Sequence, residues 1–255
     1  MALLEYGEKD VSEVIGTPIQ IVSETYGTDG LRRRLAFEVL ESFDGQDLEF
    51  IDDAYSLATE VHCEDRRQRE PVENHLLRVA IRGISGSHID KKDAIMVAGN
   101  LLHDSVEDHS WSLAKQERST PEDEARQMAL ETLTGRFGIE VSTMVGWMTN
   151  PLPREGQNKI EAYREQLDAI AKNGPWRSAL GKFGEIADNC LDVYWLGGAY
   201  REGVLGLAYR YSAAPHIFAG ILERSDIVLS RAARKYITDQ LELIDRRLEV
   251  VLAGE

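Results

Sequence analysis

Through most of this chain apolar residues recur every three to four positions, the period of an amphipathic helix, and no segment alternates with the period of a strand. Leu35, Ala36, Val39 and Leu40 mark one stripe within residues 31–42, with Phe37 beside it. Phe50, Ile51, Ala54, Leu57, Ala58 and Val61 mark the next, within residues 48–62. Gly45-Gln-Asp47 predicts a turn between them, with Asp47 as the N-cap. A charged connector over 63–70 leads to Pro71, which opens a helix with Val72, Leu76, Val79, Ala80 and Gly83 inward. His75 falls on that inward stripe. Asp90 is placed to cap the following helix, where Ile95, Ala98, Leu101, Leu102 and Val106 share a face. Thr120-Pro121 starts a helix to about Gly135, and another covers 139–148 after Phe137-Gly138. Beyond the break at Asn150-Pro151-Leu152-Pro153, helices are predicted over 159–171, 176–196, 199–211, 215–222 and 230–252. Residues 1–30, punctuated by glycines, predict no firm element, and 110–126 is a polar segment. The expected fold is all-α, a helical bundle formed as one domain over residues 1–255 with extra N- and C-terminal helices.

Composition narrows the function classes. Hydrophobic residues at 43% and charged residues at 29% of 255 fit a soluble globular chain with a full core. A formal net charge of −15 argues against a broad phosphate-gripping surface, so no nucleic-acid partner is expected. A phosphorylated small molecule is still compatible, since it needs only a few local cations. Cys63 and Cys190 form neither a disulfide framework nor a thiolate zinc motif and are read as buried packing. No apolar run is long enough to span a bilayer. Met1-Ala-Leu-Leu-Glu5 lacks the basic start and apolar core of a signal peptide, so a cytoplasmic location without a membrane partner is expected.

The candidate chemistry centres on Asn100-Leu-Leu-His-Asp-Ser-Val-Glu-Asp-His109. His103, Asp104, Glu107 and Asp108 are spaced to share one helix face, and no Lys or Arg occurs from Asp93 through Ser110. If one helix runs through the motif, three carboxylates crowd its negative end, a misfit that a cation held by His103 and Asp104 would remove. A solvated acidic turn is the alternative. His75 faces inward, either as a ligand or as a core histidine bonded to a carbonyl. Asp188 borders the apolar face of a late helix, between Glu185 and Asp192. Two imidazoles and two carboxylates suit Mn²⁺, Fe²⁺ or Zn²⁺ with positions open for water. Such a water loses its proton readily. Glu107 is placed to orient or deprotonate it, and Asp108 to assist or to handle the leaving-group proton. His62, His88, His109 and His216 show no convincing ligand spacing, His62 being the least unsuitable.

The order His75, then His103-Asp104, then Asp188 resembles the HD-domain metal-dependent phosphohydrolases. Arg66-Arg67, Glu70-Pro71, the His-Asp-x-x-Glu-Asp block of 103–108, Phe137-Gly138, Thr149 and Ala187-Asp188 look like the hydrolase domain of the Rel/Spo family. That family removes the 3′-pyrophosphate from (p)ppGpp. The resemblance covers about residues 50–196, leaving 197–255 as a C-terminal extension. It implies that His75, His103, Asp104 and Asp188 bind Mn²⁺, that Glu107 and Asp108 act on the attacking water, and that Arg66 and Arg67 contact the nucleotide. Lys182 and Arg78 are further candidate cations, with a solvated surface charge the preferred reading of Arg78.

The chain also departs from the family. Asp192 stands where an Asn helps hold the nucleotide, Thr149-Asn150 replaces Thr-Lys, and the segment from Asp108 to Phe137 is longer. These changes leave open an HD phosphohydrolase of another nucleotide or phosphorylated metabolite, for example a nucleoside monophosphate phosphatase. A silent nucleotide-sensing module is a further alternative. A dinuclear oxygenase would need additional inward histidines.

Overall fold

Helical periodicity dictates the architecture of the computed structural model, which describes residues 2–8, 10–67, 70–86, 93–195 and 201–254, apart from the side chains of 7, 8, 85, 86, 191–195 and 201–203. The chain is all-α. In order come α1 (Ile19–Leu40), α2 (Gly45–Val61), a two-residue antiparallel pairing of β1 (Arg66–Arg67) with β2 (Glu70–Pro71), α3 (Val72–Gly86), α4 (Ala94–Leu102), α5 (Ser105–Leu113) and α6 (Glu122–Met148). There follow α7 (Lys159–Asn173), α8 (Trp176–Trp195), α9 (Arg201–Tyr211), α10 (Ala214–Ala219) and α11 (Arg231–Ala253). Two compact units divide the chain, the first from Met1–Ser85 with Lys91–Thr149 and the second carried mainly by Asn150–Glu255. The division falls at the Asn150-Pro151 break, where proline forbids the helical conformation of the residue before it.

In the first unit α4 packs against α2 on one side and α6 on another, and α5 lies along α6. Leu35, Ile51, Ala54, Leu77, Ala80, Ala98, Leu101, Leu133 and Val145 are completely buried in its core. Each large aliphatic side chain among them contributes about 1.5–3 kcal/mol of transfer free energy. The consequence for the site is rigidity, because every residue from Met96 to Leu102 is buried and the end of α4 is clamped from two sides. At Gly138 the φ of +83° breaks α6 into two helical stretches, at the Phe137-Gly138 pair that marks the break in the sequence.

Several local expectations are corrected. Residues 19–26 are helical despite the glycines around them, and α1 is interrupted only at Gly27, whose φ is +58°. Asp44, not Asp47, is the N-cap of α2, since Gly45 already belongs to the helix. Pro71 closes the short β pairing, and the helix starts one residue later. Asp90 and His88 lie outside the described residues, and α4 is capped by Asp93, whose carboxylate accepts from the Met96 amide at 3.1 Å. Cys63 is exposed rather than buried, because it sits just past the end of α2; Cys190 is buried as expected. The polar segment after residue 110 is still helical to Leu113.

In the second unit α11 packs against α8, α9 and α10, and α7 against α10. The residues at helical spacing on α11, Ala233, Ile237, Leu241, Ile244 and Leu248, are buried, Val251 near its end is half-buried, and the Ser230 side chain caps α11 at the Ala233 amide, 3.1 Å away. Asn158 and Glu161 form a reciprocal capping box on α7. No described helix is long and apolar enough to cross a membrane.

Candidate metal centre

The motif at residues 100–109 is two helices, not one. α4 ends at Leu102, His103 and Asp104 form the junction, and α5 begins at Ser105. Glu107 and Asp108 therefore occupy the first turn of α5, where the helix dipole favours negative charge. The expected electrostatic misfit at a helix C-terminus is thus overturned for these two acids. Asp104 precedes α5 with αR backbone, φ −85° and ψ −12°, and its side chain makes no cap hydrogen bond. Its carboxylate approaches Nε2 of His103 at 3.2 Å and Nε2 of His75 at 3.6 Å.

The two imidazoles come from different helices, His75 from the inward face of α3 and His103 from the end of α4, and both are essentially fully buried. Their Nε2 atoms are 3.1 Å apart. His103 Nδ1 lies 2.7 Å from the Asn100 carbonyl, to which its N–H donates, and this contact turns Nε2 toward His75 and Asp104. This is the backbone support that orients metal-bound histidines. Ligand atoms about 2.1 Å from one divalent cation are separated by about 3.0–3.4 Å, close to the spacing of this cluster. His75, His103 and Asp104 fit such an ion. Burial raises the Asp104 carboxyl, but the charges of His103, His75, Arg67 and His62 together overcome it and hold the group well below the usual carboxylate range.

One turn on, Glu107 is half-buried and Asp108 exposed. Crowding by the protein, then the charges of Asp104 and Glu107, push Asp108 up to about 7, with His109 pulling the other way.

Arg66 and Arg67 sit on the short hairpin before α3, Arg66 exposed and Arg67 half-buried. The hairpin is fastened from below by Arg78. Its guanidinium, 1% exposed, donates to both Glu70 oxygens at 2.9 and 2.7 Å and to Ser23 Oγ at 3.0 Å. Asn74 adds a bond to the same carboxylate at 2.9 Å. The reading of Arg78 as a solvated surface charge is therefore wrong, because its position on α3 turns it toward Glu70 and α1.

The second unit carries the other candidates. Asp188 is fully buried on α8. Lys182, also on α8 and fully buried, pairs with Glu185 at 2.8 Å and donates to Asn150 Oδ1 at 3.1 Å, its ammonium 5.4 Å from the Tyr163 ring centre. Asp192 belongs to the last turns of α8, and its side chain lies outside the described residues.

A second cluster escaped the spacing rules. His62 Nδ1 and His109 Nε2 both contact Asp65 Oδ2, at 2.7 and 2.5 Å, with the two rings edge to face at 4.5 Å. Neither histidine shows convincing ligand spacing in the sequence, yet the structure brings both to one carboxylate. His62 and Asp65 are three apart at the end of α2, a weak local signal, but His109 joins them only through the packing of α5 on α2.

Comparison with known proteins bears on the fold. No family model matches this sequence, and no curated protein does. Among solved structures, the chain resembles a metazoan ortholog of SpoT described as hydrolysing ppGpp and playing a role in starvation responses. The TM-score is 0.50 and the identity 20%, over 80% of this chain and 97% of that one. At that identity the likeness establishes a shared all-α fold.

Proposed function

We propose that the chain is a divalent-metal phosphohydrolase, with Mn²⁺ the expected ion, that removes the 3′-pyrophosphate from (p)ppGpp. The observation that carries this reading is the convergence of His75, His103 and Asp104, the Asp104 carboxylate lying against two buried imidazoles. The reported ppGpp hydrolysis by the structural neighbour supports the choice of substrate. In this reading Asp188 supplies the fourth ligand. The ion, once bound, acidifies water and neutralises charge on phosphoryl oxygens.

The remaining roles belong to this chain's side chains. Glu107 holds the attacking water and accepts its proton as the new O–P bond forms at the phosphorus next to the ribose 3′ oxygen. That 3′ oxygen leaves and takes a proton, for which Asp108 is the donor. Arg66 and Arg67 draw the phosphates in from the hairpin, and the Arg78–Glu70 pair holds the hairpin still. Lys182 would have to exchange Glu185 for a phosphate to contribute.

Asp192, an acid where the resemblance expects Asn, favours a second reading, release of orthophosphate from another nucleotide. Product identification separates the two. Mn²⁺-loaded protein incubated with ppGpp should yield pyrophosphate and GDP, whereas orthophosphate from a nucleoside monophosphate with ppGpp untouched would establish the second. Release of neither species from a nucleotide panel would refute both.

A further inference from the structure

We propose that His62, Asp65 and His109 form a second binding site for a divalent transition cation of the Zn²⁺, Co²⁺ or Fe²⁺ class, separate from the His75–His103–Asp104 cluster. Two imidazoles and one carboxylate are a complete three-ligand set that leaves positions for water. All three ligand atoms lie within 4.8 Å of one another.

The site is built rather than incidental. Asp65 is fixed by its own backbone, its amide donating to the His62 carbonyl at 3.0 Å and its carbonyl accepting from Val72 at 3.2 Å. His62 is completely buried in its side chain, and its Nε2 has no hydrogen-bond partner, unlike a core histidine held by a carbonyl. His109 departs from helical geometry inside α5, with φ −128° and ψ 26°, and its ring stands on Asp65. The Asp65 and His109 side chains keep 33% and 21% of their exposure, so a hydrated ion has a way in from that side.

The present Asp65 contacts, 2.7 and 2.5 Å, are distances for shared protons. A cation would take the place of those two N–H groups at His62 Nδ1 and His109 Nε2, each neutral ring then carrying its proton on its other nitrogen, and the contacts would lengthen by a few tenths of an ångström. Uptake competes with protonation of the imidazoles and so weakens in acid. The site also lies within electrostatic reach of the first cluster, since His62 and Asp104 perturb one another. A cation here therefore adds positive charge beside the centre already described.

Cobalt alone is the probe. Chelator-stripped full-length protein is titrated with Co²⁺, following visible absorption and equilibrium dialysis, with circular dichroism confirming helix content. Asp104→Ala, or His103→Gln if that variant is unfolded, should retain one tightly bound equivalent. Adding His109→Gln or Asp65→Asn to either should weaken that equivalent at least about 10–100-fold, the range seen when a ligand or its support is lost. Absence of the retained equivalent, or its indifference to both second changes, overturns the proposal. Loss of an equivalent on Asp104→Ala alone tests the first site separately, so the two assignments stand or fall independently.

Discussion

Replacing Arg78 with methionine should unfasten the hairpin that presents Arg66 and Arg67. Methionine keeps an unbranched apolar stem in the space of a residue that is 1% exposed, while removing the guanidinium that reaches both Glu70 oxygens and Ser23. Glu70 is then left with the single Asn74 bond. Removing one partner of a buried ion pair costs about 3–5 kcal/mol. The Glu70 side chain is still 26% exposed and water compensates in part, so the lower end, about 3 kcal/mol, is expected. With a urea dependence of about 1–3 kcal/mol per molar, the unfolding midpoint of the first unit should fall by about 1–3 M. Trp111 and Trp147 report on that unit once Trp176 and Trp195 of the second are changed to Phe. Under the proposed reaction, the variant should also raise KM for ppGpp more than it lowers kcat, because the hairpin arginines meet substrate and not the attacking water. A double-mutant cycle with Glu70→Gln isolates the pair. Strict additivity of the two changes, or a loss below about 0.5 kcal/mol, would refute the assignment of Arg78 and Glu70 as the hairpin's anchor.

Four further outcomes follow from the same geometry. Asp104→Ala should lose the ion of the first cluster with helix content unchanged, read by metal analysis and circular dichroism; retained turnover would remove Asp104 from the site. Glu107→Gln should keep that ion while kcat falls about 10²–10⁴-fold, the usual contribution of a positioned acid or base, and an unaltered rate would make Glu107 a bystander. Gly83→Ala places a methyl against the Asn100 side chain, so it should cost about 1–3 kcal/mol of stability and, by shifting the carbonyl that holds His103, weaken metal binding; unchanged affinity would uncouple the two. Asp53, held below its usual range chiefly by its hydrogen bond to Arg136, gives a signed pH test. A depressed carboxyl stabilises above its unfolded pKa and loses that contribution as pH falls through its folded value. Asp53→Asn should thus cost under about 1 kcal/mol at neutral pH, both partners being well exposed, and the cost should vanish in acid; a cost that persists there would point to packing instead.

How much of this could be read from the sequence depends on how far each feature relies on neighbours in the chain. The helices and their buried faces were legible because periodicity is local: the α11 stripe is buried from Ala233 through Leu248, with Val251 near the helix end half-buried. Gly138, with a positive φ, announced its own break. The junction at His103-Asp104 carries neither Gly nor Pro, so nothing local marks it, and the acids beyond it were assigned to the wrong end of a dipole. Arg78 was misjudged for the same reason, since its partner Glu70 is eight residues back, on the short strand that precedes α3. The His62–Asp65–His109 cluster depends on a contact spanning 44 residues, beyond the reach of any spacing rule. His75, by contrast, could be placed by its stripe alone, and His103 and Asp104 by adjacency, so three candidate ligands were readable although the path bringing them together was not. The most informative feature is where the Asp104 carboxylate lies. The backbone there is αR, with φ −85° and ψ −12°, so the side chain is not placed to bond the amides of the next turn as an aspartate on extended backbone is. It lies against two buried imidazoles, a contact that makes sense around a cation.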